Sequence, residues 1–151
     1  KIASVSKHVP GHGCSNSDSH LNLPIVYKKK SKLYKEDFSL FKNLSSNFMM
    51  TAHILYKNID SKNLATFSNN IINQIIRKKL NFKGILISDD ISMKALSKNL
   101  SINADKALNA GCNLVLYCGG NITESSKLLK NLRTIDEFTR KKTYQFYNFL
   151  R

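Results

Sequence analysis

The stretch Gly84-Ile85-Leu86-Ile87-Ser88-Asp89-Asp90-Ile91-Ser92 decides the fold of this chain. Its short apolar run breaks off at two carboxylates, and helix-forming sequence follows. A buried parallel strand has that appearance when it delivers an acid to the end of a sheet. Two acids side by side stand out because the sequence holds only 10 Asp and Glu against 24 Lys and Arg. Upstream lies the natural counterpart, Lys7-His8-Val9-Pro10-Gly11-His12-Gly13, followed by Asp18-Ser19-His20. The chemistry is expected between these two places.

Outward from that strand, residues 2–7 read as a short strand that runs into a glycine-containing loop reaching Leu23-Pro24. The polar run Ser15-Asn16-Ser17-Asp18-Ser19 has no hydrophobic period, as expected of an exposed functional loop. Phe38, Phe41 and Leu44 recur at three-residue spacing and predict a short helix over 36–44. A second strand is expected over 47–53 and a loop over 55–65. Thr66 or Ser68 is then placed to cap a helix whose buried stripe is Ile71, Ile72, Ile75, Ile76 and Leu80. After the strand at 84–88, Ser92 is read as the cap of the next turn. A helix over 101–110 stops at Gly111, a residue suited to a left-handed terminus. Residues 113–118 read as the fourth strand and Gly119-Gly120 as the opening of its loop. Helices over 123–133 and 136–150 close the chain.

Strands alternating with helices indicate an α/β fold with a parallel sheet. The unusual residues (Lys7-His8, His53, Asp89-Asp90, Cys118-Gly119-Gly120) all follow strands. In α/β barrels and open sheets that edge is where active sites are built. A complete (β/α)8 barrel takes about 250 residues, so the four units read in these 151 residues make about half of one.

That length suffices for one domain with a core, read over 1–151, and 42% hydrophobic residues is ordinary for a globular protein. No apolar run approaches the ~20 residues of a membrane-spanning helix, and residues 1–5 show no signal-peptide pattern. An intracellular, cytoplasmic protein without a membrane partner is expected. The net charge of +14 raises a nucleic-acid reading. Against it, the lysines are scattered. The runs Lys28-Lys29-Lys30, Arg77-Lys78-Lys79 and Arg140-Lys141-Lys142 read as solvated loops or helix ends. No RNA-binding aromatic signature or metal-finger spacing occurs, so no nucleic-acid partner is expected. Cys14, Cys112 and Cys118 show no paired spacing and read as reduced thiols. Cys112 and Cys118 are expected in the core, whereas Cys14, in the histidine loop, is open to a reactive role as well as a structural one.

Two readings stand for each half of the site. An Asp after a strand can cap the following helix, or its carboxylate can attack a sugar's anomeric carbon. Two consecutive acids allow one of each, and alternation does not say which points inward. In the other half, His8, His12, Cys14 and His20 are all competent zinc ligands. Alternatively, Asp18 orients His20 as an acid–base pair, while Lys7 and His8 donate to substrate hydroxyls.

Lys7-His8-Val9-Pro10-Gly11-His12-Gly13 with Asp18-Ser19-His20 resembles the KH-x-PGHG…DSH loop of bacterial β-N-acetylhexosaminidases in family 3 of the glycoside hydrolases. Met50-Thr51-Ala52-His53 is similar to that family's next strand end. The run from Ile75 to Met93 resembles its nucleophile signature, and Ala110-Gly111-Cys112-Asn113-Leu114-Val115-Leu116 fits the strand after it. The resemblance implies a TIM-type (β/α)8 barrel, of which this chain is the C-terminal half. It further implies that Asp89 is the nucleophile, His20 the general acid/base supported by Asp18, and Lys7 and His8 sugar ligands. The implied activity is that of a retaining hydrolase removing terminal β-linked N-acetylglucosamine from peptidoglycan fragments in the cytoplasm, with no metal or organic cofactor. Val9 stands where the family often has an aromatic residue or Ile. The larger departure is that the family's Asp and Arg that grip the sugar belong to an N-terminal half, so the isolated chain is expected to be unstable or inactive. Two other readings remain: an inactive barrel remnant serving as a basic binding module, and a zinc-dependent hydrolase built on the histidine loop.

Overall fold

The computed structural model describes residues 2–15 and 22–151; Asp18 and His20 lie outside the described residues. Six strands occur among them: β1 (Val5–Val9), β2 (Ile25–Val26), β3 (Phe48–Thr51), β4 (Leu55–Tyr56), β5 (Ile85–Asp90) and β6 (Leu114–Leu116). The four longer ones form a parallel sheet in the order β1-β3-β5-β6. Spatial order thus follows chain order, each crossover stepping to the next place in one direction. A doubly wound sheet reverses at a switch point. This sheet does not, and it is the sector of neighbouring strands that a (β/α)8 barrel requires.

One face of the sheet carries the main core. Met49 on β3 and Leu86 on β5 are in register and buried against Ile71, Ile72, Ile75, Ile76 and Leu80. Burial of each such isoleucine stabilises the fold by about 1.5–3 kcal/mol in transfer terms. The expected stripe is present, but Ile71–Lys79 is wound as a π-helix, with Leu80 N donating to Ile75 O at 2.8 Å. Ser68 is the cap, its Oγ accepting from Ile71 N at 3.1 Å. Helix α2 (Leu100–Ala110) ends as expected at Gly111, whose φ of 119° suits glycine. Helices α3 (Ile122–Asn131) and α4 (Glu137–Leu150) begin at the side-chain caps Asn121 and Asp136.

Several expectations require correction. The helix expected over 36–44 lies earlier, at α1 (Lys30–Glu36), and a 3-10 turn at Phe38–Phe41 follows it. The three-residue spacing of Phe38 and Phe41 is the 3-10 period rather than one face of an α-helix. Leu55 and Tyr56 are not loop but β4, paired in parallel with β2 and tying together the segments that follow β3 and β1. The first strand starts and ends later than residues 2–7, so Lys7 and His8 lie within it. β5 likewise continues through both carboxylates. Cys118 is exposed, while Cys112 is buried as expected, and burial pushes its thiol pKa up to about 12.

Arg77 is not a solvated charge. Its guanidinium donates to Gly84 O (2.7 Å), Phe82 O (3.3 Å) and Asn113 Oδ1 (2.6 Å). Asn113 Oδ1 also accepts from Leu86 N at 2.8 Å, and its amide donates to the buried Thr139 Oγ1 at 2.9 Å. This clamp fixes the N-terminal ends of β5 and β6 and ties α4 to them.

Candidate active site

The two ends of the candidate site both sit on irregular strand ends. Along β1, Lys7 pairs with Met50 and Val9 with Thr51, which leaves His8 as the extra residue of a bulge. Register puts Val5 and Lys7 on the face of Phe48, Met50, Ile85 and Ile87, away from the helix-covered core. A bulge re-aims the residue it inserts, and His8 Nε2 comes within 3.5 Å of Asp89 Oδ2. β5 is irregular in the same way, with Ile87 opposite Leu114 and Asp90 opposite Leu116.

The adjacent acids have different surroundings. Asp90 is taken up by the following turn and the loop after β6. Its Oδ1 accepts from Ser92 N (3.0 Å), Ser92 Oγ (2.8 Å) and Cys118 N (3.1 Å). Ser92 is therefore a donor to Asp90 rather than the cap expected of it. Asp89 uses Oδ1 to accept from Asp90 N at 2.9 Å and turns Oδ2 to His8. The side chains of His8 and Asp89 are 27% and 13% exposed, so both are partly desolvated yet reachable. Lys7 is exposed on the same face.

The loop beyond Asp90 is held by Asn103 of α2, which is buried. Its amide donates to Ile91 O (2.9 Å) and Ser97 O (2.8 Å). On the other side, the Pro10–Gly13 turn rests on Asp37. A Cβ at Gly11 would overlap the Asp37 carboxylate, and Gly13 N donates to Asp37 Oδ1 at 3.4 Å. Tyr56 O–H donates to Gly11 O. Cys14 receives a hydrogen bond from Lys28 Nζ at 3.2 Å, and Lys28 also pairs with Glu36. Among the described residues, no group of three or more His, Cys, Asp and Glu side chains stands close enough to hold a metal ion.

His53 also belongs to this end of the sheet. It is buried, with Nδ1 2.7 Å from Thr66 Oγ1 and Nε2 3.1 Å from Asp90 O. Burial holds its pKa below the ordinary histidine value, opposed by the Asp90 carbonyl and the Asp89 and Asp90 charges. Position after a strand marked His53 as unusual; its link to Asp90 joins two segments 37 residues apart, a distance that local pattern does not bridge.

Residues 1–143 match the N-terminal domain of glycosyl hydrolase family 3. The chain belongs to that family. A β-hexosaminidase of Haemophilus influenzae is 41% identical over 123 residues, covering 78% of this chain and 35% of that protein. Of solved structures, CbsA from Thermotoga neapolitana superposes with a TM-score of 0.86 at 30% identity, covering 99% of this chain and 38% of that one. NagZ from Neisseria gonorrhoeae in complex with N-trifluoroacetyl-D-glucosamine gives 0.82 at 29% identity, covering 95% and 42%. The family 3 chain thus spans well under half the length of these relatives.

Proposed function

We propose that this chain carries part of the active site of a retaining β-N-acetylhexosaminidase, in which Asp89 is the nucleophile, His20 the general acid/base oriented by Asp18, and Lys7 and His8 ligands of the sugar. The observation that carries this reading is the division between the two acids. Asp90 is satisfied by backbone and hydroxyl donors, whereas Asp89 holds one oxygen towards His8 at the open end of a parallel strand.

In the first step an Asp89 oxygen attacks the anomeric carbon, the glycosidic C–O bond breaks, and His20 gives its proton to the leaving oxygen. A glycosyl ester of Asp89 results. Water then attacks the same carbon, His20 takes its proton, and the ester bond breaks to release the sugar and free Asp89. Lys7 and His8 hold hydroxyl oxygens of the sugar as the positive charge develops.

The substrate class we assign is terminal β-linked N-acetylglucosamine on peptidoglycan fragments, acted on in the cytoplasm. The N-acetylglucosaminidase and hexosaminidase names of similar proteins support the sugar. No helix among the described residues is long and apolar enough to cross a membrane. The test is nitrophenol release from a nitrophenyl N-acetyl-β-glucosaminide by the native polypeptide and its Asp89→Asn variant, with and without chelator. Turnover that resists chelator and is lost in the variant is expected. Equal turnover by both would overturn the nucleophile assignment, and loss on chelation would favour the zinc hydrolase.

A further inference from the structure

Behind the candidate carboxylate runs a buried polar chain for which the chemistry above has no use. Thr51 Oγ1 lies 2.9 Å from Thr66 Oγ1, which is 3.1 Å from Ala52 O and 2.7 Å from His53 Nδ1. His53 Nε2 completes the chain at Asp90 O, 3.1 Å away. Thr51, Thr66 and His53 are all fully buried.

Proton counting fixes the state of the ring. A carbonyl oxygen only accepts, so Nε2 carries a proton. Thr66 has a single hydroxyl proton and three acceptors in reach, Nδ1, Ala52 O and Thr51 Oγ1. If it points to Nδ1, the imidazole is neutral and one tautomer is fixed, with Thr51 free to donate to Thr66. If it points to Ala52 O or to Thr51 Oγ1, Nδ1 must donate as well and the ring becomes a buried imidazolium. Burial disfavours the charged form. The neutral Nε2–H tautomer follows.

We propose that His53 is a positioning residue for Asp89: held as the Nε2–H tautomer by Thr66, it anchors the Asp90 carbonyl and so sets the direction of the Asp89 carboxylate. This rests on the reading of Asp89 as nucleophile. The strand ladder alone does not fix that direction, because β5 loses regular register between Ile87 and Asp90. From the β6 side the Asp90 carboxylate is held by Cys118 N, and from the β3 side the Asp90 carbonyl is held by His53. Asp90 is thus gripped from both flanks, by its side chain and by its carbonyl, and its N–H donates to Oδ1 of the Asp89 carboxylate that precedes it. The hydrogen bonds of His53 go to Thr66 Oγ1 and Asp90 O rather than to the Asp89 carboxylate, so its action is indirect.

The experiment combines nitrogen NMR of His53 in the native polypeptide with kinetics of three variants. The spectrum is expected to show one protonated Nε2 and one unprotonated Nδ1 at neutral pH. His53→Leu is expected to lose about 100-fold in kcat, the scale of a reacting group misplaced by about 1 Å, with little change in KM. His53→Gln, whose amide N–H can still reach Asp90 O, recovers most of that loss. An Nδ1–H tautomer or an imidazolium in the spectrum, or a folded His53→Leu with unaltered kcat, would overturn the proposal. If His53→Leu does not fold, Thr66→Val decides: lowered kcat with a mixed tautomer supports the proposal, and unaltered kcat sinks it. If Asp89→Asn is as active as the native polypeptide, it is the nucleophile reading that fails, whereas turnover absent altogether is the outcome expected of the 151-residue chain by itself. The carboxylate carbon resonance of Asp89 then tests positioning directly, and an unchanged resonance in a folded His53 or Thr66 variant overturns it.

Discussion

Neighbouring carboxylates of one strand are chemically alike, and their hydrogen-bond partners set them apart. Asp90 accepts three hydrogen bonds that shape the turn after β5, while Asp89 accepts one from the backbone and faces His8. Asp90→Ala should therefore lose about 1–3 kcal/mol in urea unfolding, since Cys118 N and the Ser92 donors lose their acceptor. Asp89→Asn should unfold close to the parent while turnover disappears. The reverse pattern would exchange the roles. His53 adds a pH dependence. Its pKa is lowered in the fold by burial, so below about pH 6.5 the unfolded chain binds a proton that the folded one does not. The stability that depends on neutral His53 is fully present above that value and falls as pH drops towards the folded pKa, against the pull of Asp89 and Asp90. Melting temperatures from pH 8 to 5 should show this decline, and His53→Gln should flatten it.

At the scale of elements, the sequence made the strand–helix alternation legible because each long element keeps one apolar period. The Ile71–Leu80 stripe, the Gly111 stop and the apolar run of β5 were all readable for that reason. The short elements were not: β2 and β4 have two residues each, and partners 30 residues apart hold them together. The bulge at His8 was equally hidden, since nothing in Lys7-His8-Val9 states that Val9, not His8, continues the register with Thr51. Arg77 shows the same limit for charge. It reads as part of a solvated basic run until Gly84 O, Phe82 O and Asn113 Oδ1 converge on it. Lys cannot reproduce that planar fork. Arg77→Lys should accordingly destabilise by about 1–3 kcal/mol despite keeping the charge, measured by urea unfolding, whereas Lys78→Ala on the exposed side should cost little.

At the scale of the whole molecule, the sheet is covered unequally. Its helix-side face is packed, but the face that carries Lys7 and Asp89 keeps Phe48, Met50, Ile87, Leu114 and Leu116 only partly buried and Val5 45% exposed. α4 covers a small part of it, through Phe146 packed edge-on against Phe48 with centroids 4.8 Å apart. β1 and β6 are both edges, each with one neighbour in the four-stranded sheet. Open parallel edges beside a half-covered apolar face are a template for association. In a barrel the same face is filled by side chains from every strand, and both edges are closed. The 151-residue chain studied by itself should therefore bind a hydrophobic dye, associate as concentration rises and show no turnover, while longer polypeptides that close the barrel should do none of the first two. Dye fluorescence and light scattering across a concentration series read this directly. A monomer that excludes dye, melts cooperatively and hydrolyses the nitrophenyl substrate would mean that this sector's helix-side core suffices to hold Asp89 and His8 in place.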